Sequence, residues 1–320
     1  MITVSVAIPC YRSARTITPV VDSIRAAITA REGYDYQIIL VNDYPYDNTF
    51  DVITDLCRAD PKVIGVNLSR NFGQGMAKMA AIPYVTGDVL VYMDDDGQHP
   101  AEEIFKLVDK VLDEGYDMVY ANFPHKKHSL FKRLTSRLNS FMLELNGSKP
   151  RGITISSYHA MSRLAVDALR GYDSPFPSMG GYLSCVVQKY ANVDIEHRER
   201  LAGQSNYTLS KLLRLWLTGF TNFSTVPLRF SSVIGSVCAV FGFVMGFVVV
   251  LRKLINPAIA AGYTSSIAVQ LFIGGLILLS LGLLGEYIGR IYMTVSRKPQ
   301  YAVRRVLNAS GQESERDHES

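Results

Sequence analysis

Cysteine is sparse. Cys10, Cys57, Cys185 and Cys238 are scattered over 320 residues, with no CxxC pair and no histidine beside them at metal-ligand spacing. That gives no disulfide framework and no cysteine-held metal site, and points to reduced thiols in a cytosol-facing domain. Net charge is also small, at +4. No dense Lys/Arg run with interleaved aromatics precedes the apolar C-terminal part, which excludes nucleic acid as a partner. The opening MITVSVAIPC lacks the basic n-region of a signal peptide and reads as a first strand. Charge is missing altogether from residues 230–251 and from about 264–285.

What is present in the first half is an alternation. ITVSVAIP, YQIILVN, KVIGVNL and GDVLVYMD are Val/Ile/Leu runs too apolar for half-exposed strands. Helical patterns lie between and after them, over Ile17–Ala30, Asn48–Arg58, Gly75–Val85 and Ala101–Glu114. Such βαβ alternation predicts an α/β fold, a doubly wound, mainly parallel sheet covered on both faces. Ligands in that architecture sit beyond the carboxyl ends of the strands. The polar groups expected there are Pro9-Cys10-Tyr11, Asn42-Asp43, Ser69-Arg70-Asn71 and Asp94-Asp95-Asp96, converging on one edge.

The two uncharged runs are each long enough to cross a bilayer, which predicts a hairpin over 230–290 with spans at about 230–251 and 264–288. Arg229 precedes it, Arg290, Arg297, Lys298, Arg304 and Arg305 follow, and Arg252 and Lys253 occupy the short connection. The positive-inside rule then puts the large domain and the tail in the cytosol. Glu286 and Arg290 form an interfacial i,i+4 pair. Two basic amphipathic stretches, about 128–146 and 209–229, suit a membrane interface, although the first also suits packing on the sheet. Residues 1–208 form the main domain, split near 115, and 291–320 form a tail with a disordered end.

Three adjacent carboxylates in VYMDDDGQHPAEE repel one another unless something positive joins them. Mg²⁺ or Mn²⁺ prefers hard oxygen ligands and commonly uses one or two carboxylates with substrate phosphates. In an extended segment Asp94, Asp96 and Gln98 share one side and Asp95 points away. The competing reading is a solvated acidic turn capping the helix at Ala101. Placement beside three other polar strand ends favours the metal.

IPCYRSARTI, ILVNDYPYDNT, LSRNFGQGMA, GDVLVYMDDDGQHPAEE and RLAGQSNY together resemble the ordered motifs of family 2 glycosyltransferases of GT-A fold. With the hairpin and GEYIGRIY…RKPQY, the resemblance narrows to polyprenyl-phosphate glycosyltransferases, the group of dolichol-phosphate mannose synthase and bacterial undecaprenyl-phosphate sugar transferases, and covers Val4 to about Val306. It implies a nucleotide-sugar donor, a UDP-sugar first, bordered by Pro9, Tyr11, Asp43, Arg70, Asn71, Asp94 and Asp95. It implies a metal on Asp94, Asp96 and Gln98, with Asp96 and Arg200 catalytic. Arg133, Arg137, Ser205 and Asn206 would serve the diphosphate or acceptor phosphate. Tyr11 also reads as packing, Arg70 as surface charge and Ser205 as a helix N-cap.

The sequence departs from the resemblance in three places. Ser156 and Ser157 stand where relatives commonly carry a carboxylate base, leaving His159 as the titratable candidate nearby. Arg12-Ser13-Ala14 replaces an acidic pair, and Asn206 replaces a lysine. The implied reaction is metal-dependent, inverting transfer to polyprenyl (undecaprenyl) phosphate at the cytosolic membrane face. Alternatives are a processive polysaccharide synthase, for which a QxxRW-like motif is missing, and a non-catalytic, membrane-anchored sugar-nucleotide-binding partner. Monomer and homo-oligomer stay open.

Overall fold

A computed structural model describes residues 1–124, 150, 152–174, 179–196, 226–255, 262–296 and 299–309. The four apolar runs become β1 (Ile2–Cys10), β2 (Tyr34–Asn42), β3 (Val63–Leu68) and β4 (Val89–Tyr92). Strand β1 pairs with β2 and β4, and β2 with β3, all parallel. β3 and β4 are buried along their whole length, which is why these strands read as unbroken apolar runs.

Helices α1 (Ile17–Thr29), α2 (Thr49–Ala59), α3 (Gln74–Ala81) and α4 (Ile104–Leu112) follow the successive strands. In α1, Ile17, Val20, Val21, Ile24 and Ile28 recur every three or four residues and all are buried. They share one core with Ile53 of α2 and Leu107 of α4. On the other face of the sheet, Ala77 and Ala80 of α3 pack with Tyr92 and Leu169. The helices expected over 75–85 and 101–114 are each split, with 3-10 turns at Ile82–Tyr84 and Ala101–Glu103. Pro83 accounts for the first interruption, since proline lacks the amide a continuing helix needs.

Beyond α4 come β5 (Met118–Asn122), β6 (His159–Ser162), α5 (Arg163–Arg170), α6 (Met179–Val186) and β7 (Tyr190–Asp194). β6 runs antiparallel to β4 and β5, so the sheet is mixed on this flank. Ser162 Oγ caps α5 by accepting from Ala165 N–H.

Part of the segment 291–320, read from sequence as a tail, joins the sheet. Strand β8 (Val303–Leu307) pairs antiparallel with β3, giving the order β7-β5-β6-β4-β1-β2-β3-β8. Gln300 Nε2 donates to the Tyr172 carbonyl at 2.9 Å, and Ser69 N–H to the Ala302 carbonyl at 2.9 Å. Asn308, at φ +59, turns its Nδ2 to the carbonyls of Cys57 at 2.6 Å and Val63 at 3.0 Å. A five-residue strand with two arginines has too little apolar pattern to show in sequence, and edge strands favour such charges.

A second compact unit, Leu213–Lys298, contains α7 (Val226–Ile255) and α8 (Tyr263–Val295). At about 1.5 Å per residue these run roughly 45 and 50 Å. Both helices outlast the expected spans. Arg252 and Lys253 lie inside α7 rather than in the connection. Among the described residues one helix, α8, is long and apolar enough to cross a membrane, over Phe272–Gly289, while α7 shows a shorter apolar stretch, Gly235–Val244. Phe241, Phe243, Phe247, Phe272, Ile277 and Leu278 are exposed on these helices. The interface helix expected over 128–146 and residues 209–225 lie outside the described residues.

Candidate active site

Because β1 to β4 are parallel, their carboxyl ends reach one edge. Asp43 closes β2 there and is 3% exposed. Its Oδ1 accepts from Phe72 N–H at 2.7 Å and its Oδ2 from Gly73 N–H at 2.8 Å. Asp43 thus shapes the loop that leads Arg70 and Asn71 into α3. Burial pushes its carboxyl pKa up, against the pull of those two amides. Gly73, at φ +91, makes a turn that a side chain would strain. Arg70 and Asn71 are exposed, and the Arg70 guanidinium lies 4.8 Å from the Phe72 ring centroid.

Pro9 is buried in β1, paired with Val41. Tyr11 is 46% exposed and packs edge-on against Tyr44 with centroids 5.0 Å apart. Arg12, at φ +59, donates Nη2–H to Tyr44 Oη at 2.9 Å and lies over that ring.

Asp95 and Asp94 bond to different partners. Asp95 Oδ2 accepts from both Tyr11 N–H at 3.0 Å and Ser13 Oγ–H, tying the end of β4 to that of β1. Burial raises its pKa, and the neighbouring Asp94 charge adds to this. The rest of the cluster is not extended. β4 stops at Tyr92, Asp95 and Asp96 turn, and Gly97 sits at φ +73. Asp96 Oδ1 accepts from Gln98 N–H at 3.1 Å, an Asx turn that competes with extension. Asp94, Asp96 and Gln98 therefore do not line one strand face.

Asp94 uses both carboxylate oxygens. Its Oδ1 accepts from Gln74 Nε2 at 2.8 Å and its Oδ2 from Ser157 Oγ at 2.6 Å. Its own N–H donates to His99 Nδ1 at 3.0 Å, so a neutral His99 carries its proton on Nε2. That nitrogen is 3.5 Å from Ser157 Oγ and 3.7 Å from Asp94 Oδ2. His99 is buried and stacked on Tyr158, with centroids 4.7 Å apart. Ser157, in the position where the resemblance expects a base, directs its hydroxyl to Asp94 instead.

His159 pairs with Tyr92, the last residue of β4, and so lies at this edge, but its ring is buried. It lies in β6, opposite Tyr92 and Tyr120, with its ring 5.2 Å from each. Its Nδ1–H donates to the Ser156 carbonyl at 3.1 Å, and burial holds its pKa well below the usual value. The neutral ring is tilted 38° and 40° to those of Tyr92 and Tyr120. Arg133, Arg137, Arg200, Ser205 and Asn206 lie outside the described residues. Gln74, Lys78 and His99 enter the site without having been anticipated. Gln74 stood inside the motif LSRNFGQGMA without an assigned role, Lys78 read from sequence as an ordinary helix position, and His99 had a signal only in its closeness to the acidic run.

Among the described residues no group of three or more His, Cys, Asp or Glu side chains is disposed to cage a metal ion. Asp94 and Asp96 still fit a hard divalent ion completed by substrate oxygens, since the Gln74 amide and Ser157 hydroxyl that bond the Asp94 carboxylate are neutral donors.

Comparison with known proteins agrees with this geometry. A model described as glycosyl transferase family 2 matches residues 5–170, and one described as GtrB C-terminal hairpin matches residues 226–291. Undecaprenyl-phosphate 4-deoxy-4-formamido-L-arabinose transferase of Yersinia enterocolitica is 34% identical over 320 residues, 99% of this chain and 97% of the relative. An uncharacterized glycosyltransferase of Bacillus subtilis, YkcC, is 32% identical over 316 residues, 98% of this chain and 97% of the relative. Among solved structures, glucosyl-3-phosphoglycerate synthase from Mycobacterium tuberculosis is 20% identical with a TM-score of 0.48, covering 70% of this chain and 80% of that one. With a family 2 domain folded as a mainly parallel sheet around an acidic strand end, and relatives matched along nearly their whole length, the chain belongs to glycosyl transferase family 2 and is a glycosyltransferase.

Proposed function

We propose that this enzyme transfers a sugar from a nucleotide diphosphate, a UDP-sugar first, to polyprenyl (undecaprenyl) phosphate at the cytosolic face of the membrane, with inversion. One observation carries the reading. The acidic end of β4 belongs to the same chain as two apolar helices inserted in sequence between β7 and β8, strands of one sheet. Residues before Leu213 and after Lys298 lie in one compact unit, joined by β3 and β8. A chain anchored that way crosses a bilayer an even number of times. If α8 crosses, α7 brings the chain back, which supports two spans with the catalytic domain and β8 on one side. The arginines and lysines flanking the hairpin favour the cytosol. The name of the Yersinia relative supports the acceptor class.

The chemistry suits the residues present. A phosphate monoester has its second pKa near ~6 and is an anionic nucleophile at neutral pH. Transfer to it needs no general base, consistent with Ser157 in place of a carboxylate and with His159 withdrawn into the sheet. Direct displacement at the anomeric carbon inverts its configuration. Asp94 and Asp96, with Gln98, would hold a Mg²⁺ or Mn²⁺ ion, which when bound neutralises charge on the departing diphosphate. Gln74 and Ser157 fix the Asp94 carboxylate for that task, and His99 holds the Asp94 backbone N–H.

The test is a panel of radiolabelled nucleotide sugars with full-length protein in lipid nanodiscs containing undecaprenyl phosphate. Label entering the organic phase with one donor, dependent on Mg²⁺ or Mn²⁺, supports the proposal. Nucleotide binding with no lipid-linked product from any donor would favour a binding partner without catalysis.

A further inference from the structure

Lys78 is a cation without a task in the reading above. It lies on α3 one turn after Gln74, so one helix face carries both an amide to Asp94 and an ammonium. Lys78 Nζ donates to the Ser157 carbonyl at 3.4 Å, while Ser157 Oγ donates to Asp94 Oδ2 at 2.6 Å. Gln74, Asp94, Ser157 and Lys78 thus form a ring that closes on α3. The ammonium also lies 5.1 Å from the centroid of the Tyr92 ring, and Tyr92 Oη–H donates to the carbonyl of Lys78 itself.

The side chain is half-buried, and burial lowers its pKa while the Asp94 charge opposes that. An ammonium has three donors. Among the described residues the long bond to Ser157 is its single hydrogen bond, and no carboxylate pairs with it. Neighbouring His159 is kept neutral, partly by the Lys78 charge, and does not share the positive role. A crowded cation with two N–H groups to spare complements an anionic oxygen. Ser157 fits this too, since a carboxylate there would pair with Lys78 and repel an entering phosphate.

We infer that Lys78 binds a phosphoryl oxygen of a substrate, either the diphosphate of the donor or the monophosphate of the lipid acceptor. The inference rests on the proposed reaction in naming those two sources. Full-length protein in nanodiscs is titrated calorimetrically with magnesium pyrophosphate and with inorganic phosphate, comparing wild type, Lys78→Met and Lys78→Arg. Lys78→Met is expected to bind about tenfold or more weakly at an unchanged unfolding midpoint, with Lys78→Arg recovering part of the loss. A loss confined to pyrophosphate assigns the donor. A loss for phosphate together with a raised KM for undecaprenyl phosphate assigns the acceptor. Lys78→Gln carries the same comparison if the Met variant does not fold. A folded neutral variant that binds both probes as wild type does overturns the inference, and so does wild type that binds neither. Failure of the sugar-transfer reading looks different: no lipid-linked sugar from any donor, with Lys78-dependent pyrophosphate binding intact.

Discussion

Two aspartates at the same sheet edge should respond oppositely to the same substitution. Asp43 uses both oxygens, one for Phe72 N–H and one for Gly73 N–H. Asparagine keeps one acceptor and turns an NH₂ toward the other amide, leaving a buried N–H without a partner. Losing a bond to a charged group and stranding its donor costs about 2–3 kcal/mol. For a domain of this size that lowers the unfolding midpoint by roughly 5–10 °C. Asp95 uses a single oxygen, Oδ2, for both Tyr11 N–H and Ser13 Oγ–H. Asparagine with its oxygen there keeps both bonds and removes a charge that burial and Asp94 disfavour. Asp95→Asn should therefore be neutral, or stabilising by up to about 1 kcal/mol. The sign of the pH dependence follows. A folded-state pKa raised above 3.8 means the contribution of Asp95 is fully present below that value and declines as pH rises through the raised one, a slope Asp95→Asn should flatten. Differential scanning fluorimetry between pH 4 and 8, on about a one-unit grid, reads both effects. Equal destabilisation by the two variants would refute the assignment of the bonds.

Further outcomes follow from single contacts. Ser157→Ala frees Asp94 Oδ2 and should lower kcat about tenfold with little loss of stability, read in the lipid-extraction assay. His159→Phe should keep the pH profile of activity unchanged. It should also remove a loss of stability on acidification below about pH 6.5, because the folded state holds this histidine neutral while the unfolded chain protonates it. Deleting residues 299–320 strips β8 from β3 and should yield aggregated domain by size-exclusion chromatography. Asn308→Gly tolerates the positive φ but loses the carbonyl contacts, and should cost about 1–2 kcal/mol in thermal unfolding.

The parallel core was legible because strands buried on both faces write continuous apolar runs, and α1 writes its buried stripe every three or four residues. The acidic strand end was legible because three adjacent carboxylates follow directly on an apolar strand run. What escaped were contacts made across elements. Gln74 and Lys78 reach Asp94 and Ser157 from a helix facing them, and no local pattern announces that. β8 escaped because Arg304 and Arg305 interrupt its apolar pattern. His159 looked titratable in sequence, and burial between Tyr92 and Tyr120 removed that role. The shared face foreseen for Asp94, Asp96 and Gln98 failed because an Asx turn and Gly97 bend the chain directly after β4.

The central claim is that the aspartates closing β4 promote transfer of sugar to a lipid phosphate. The most direct measurement is the rate of label transfer to undecaprenyl phosphate by wild type and Asp96→Asn, each shown to be folded by its unfolding midpoint. The account predicts a fall of about 100-fold or more in kcat, and transfer at the wild-type rate by folded Asp96→Asn would contradict it.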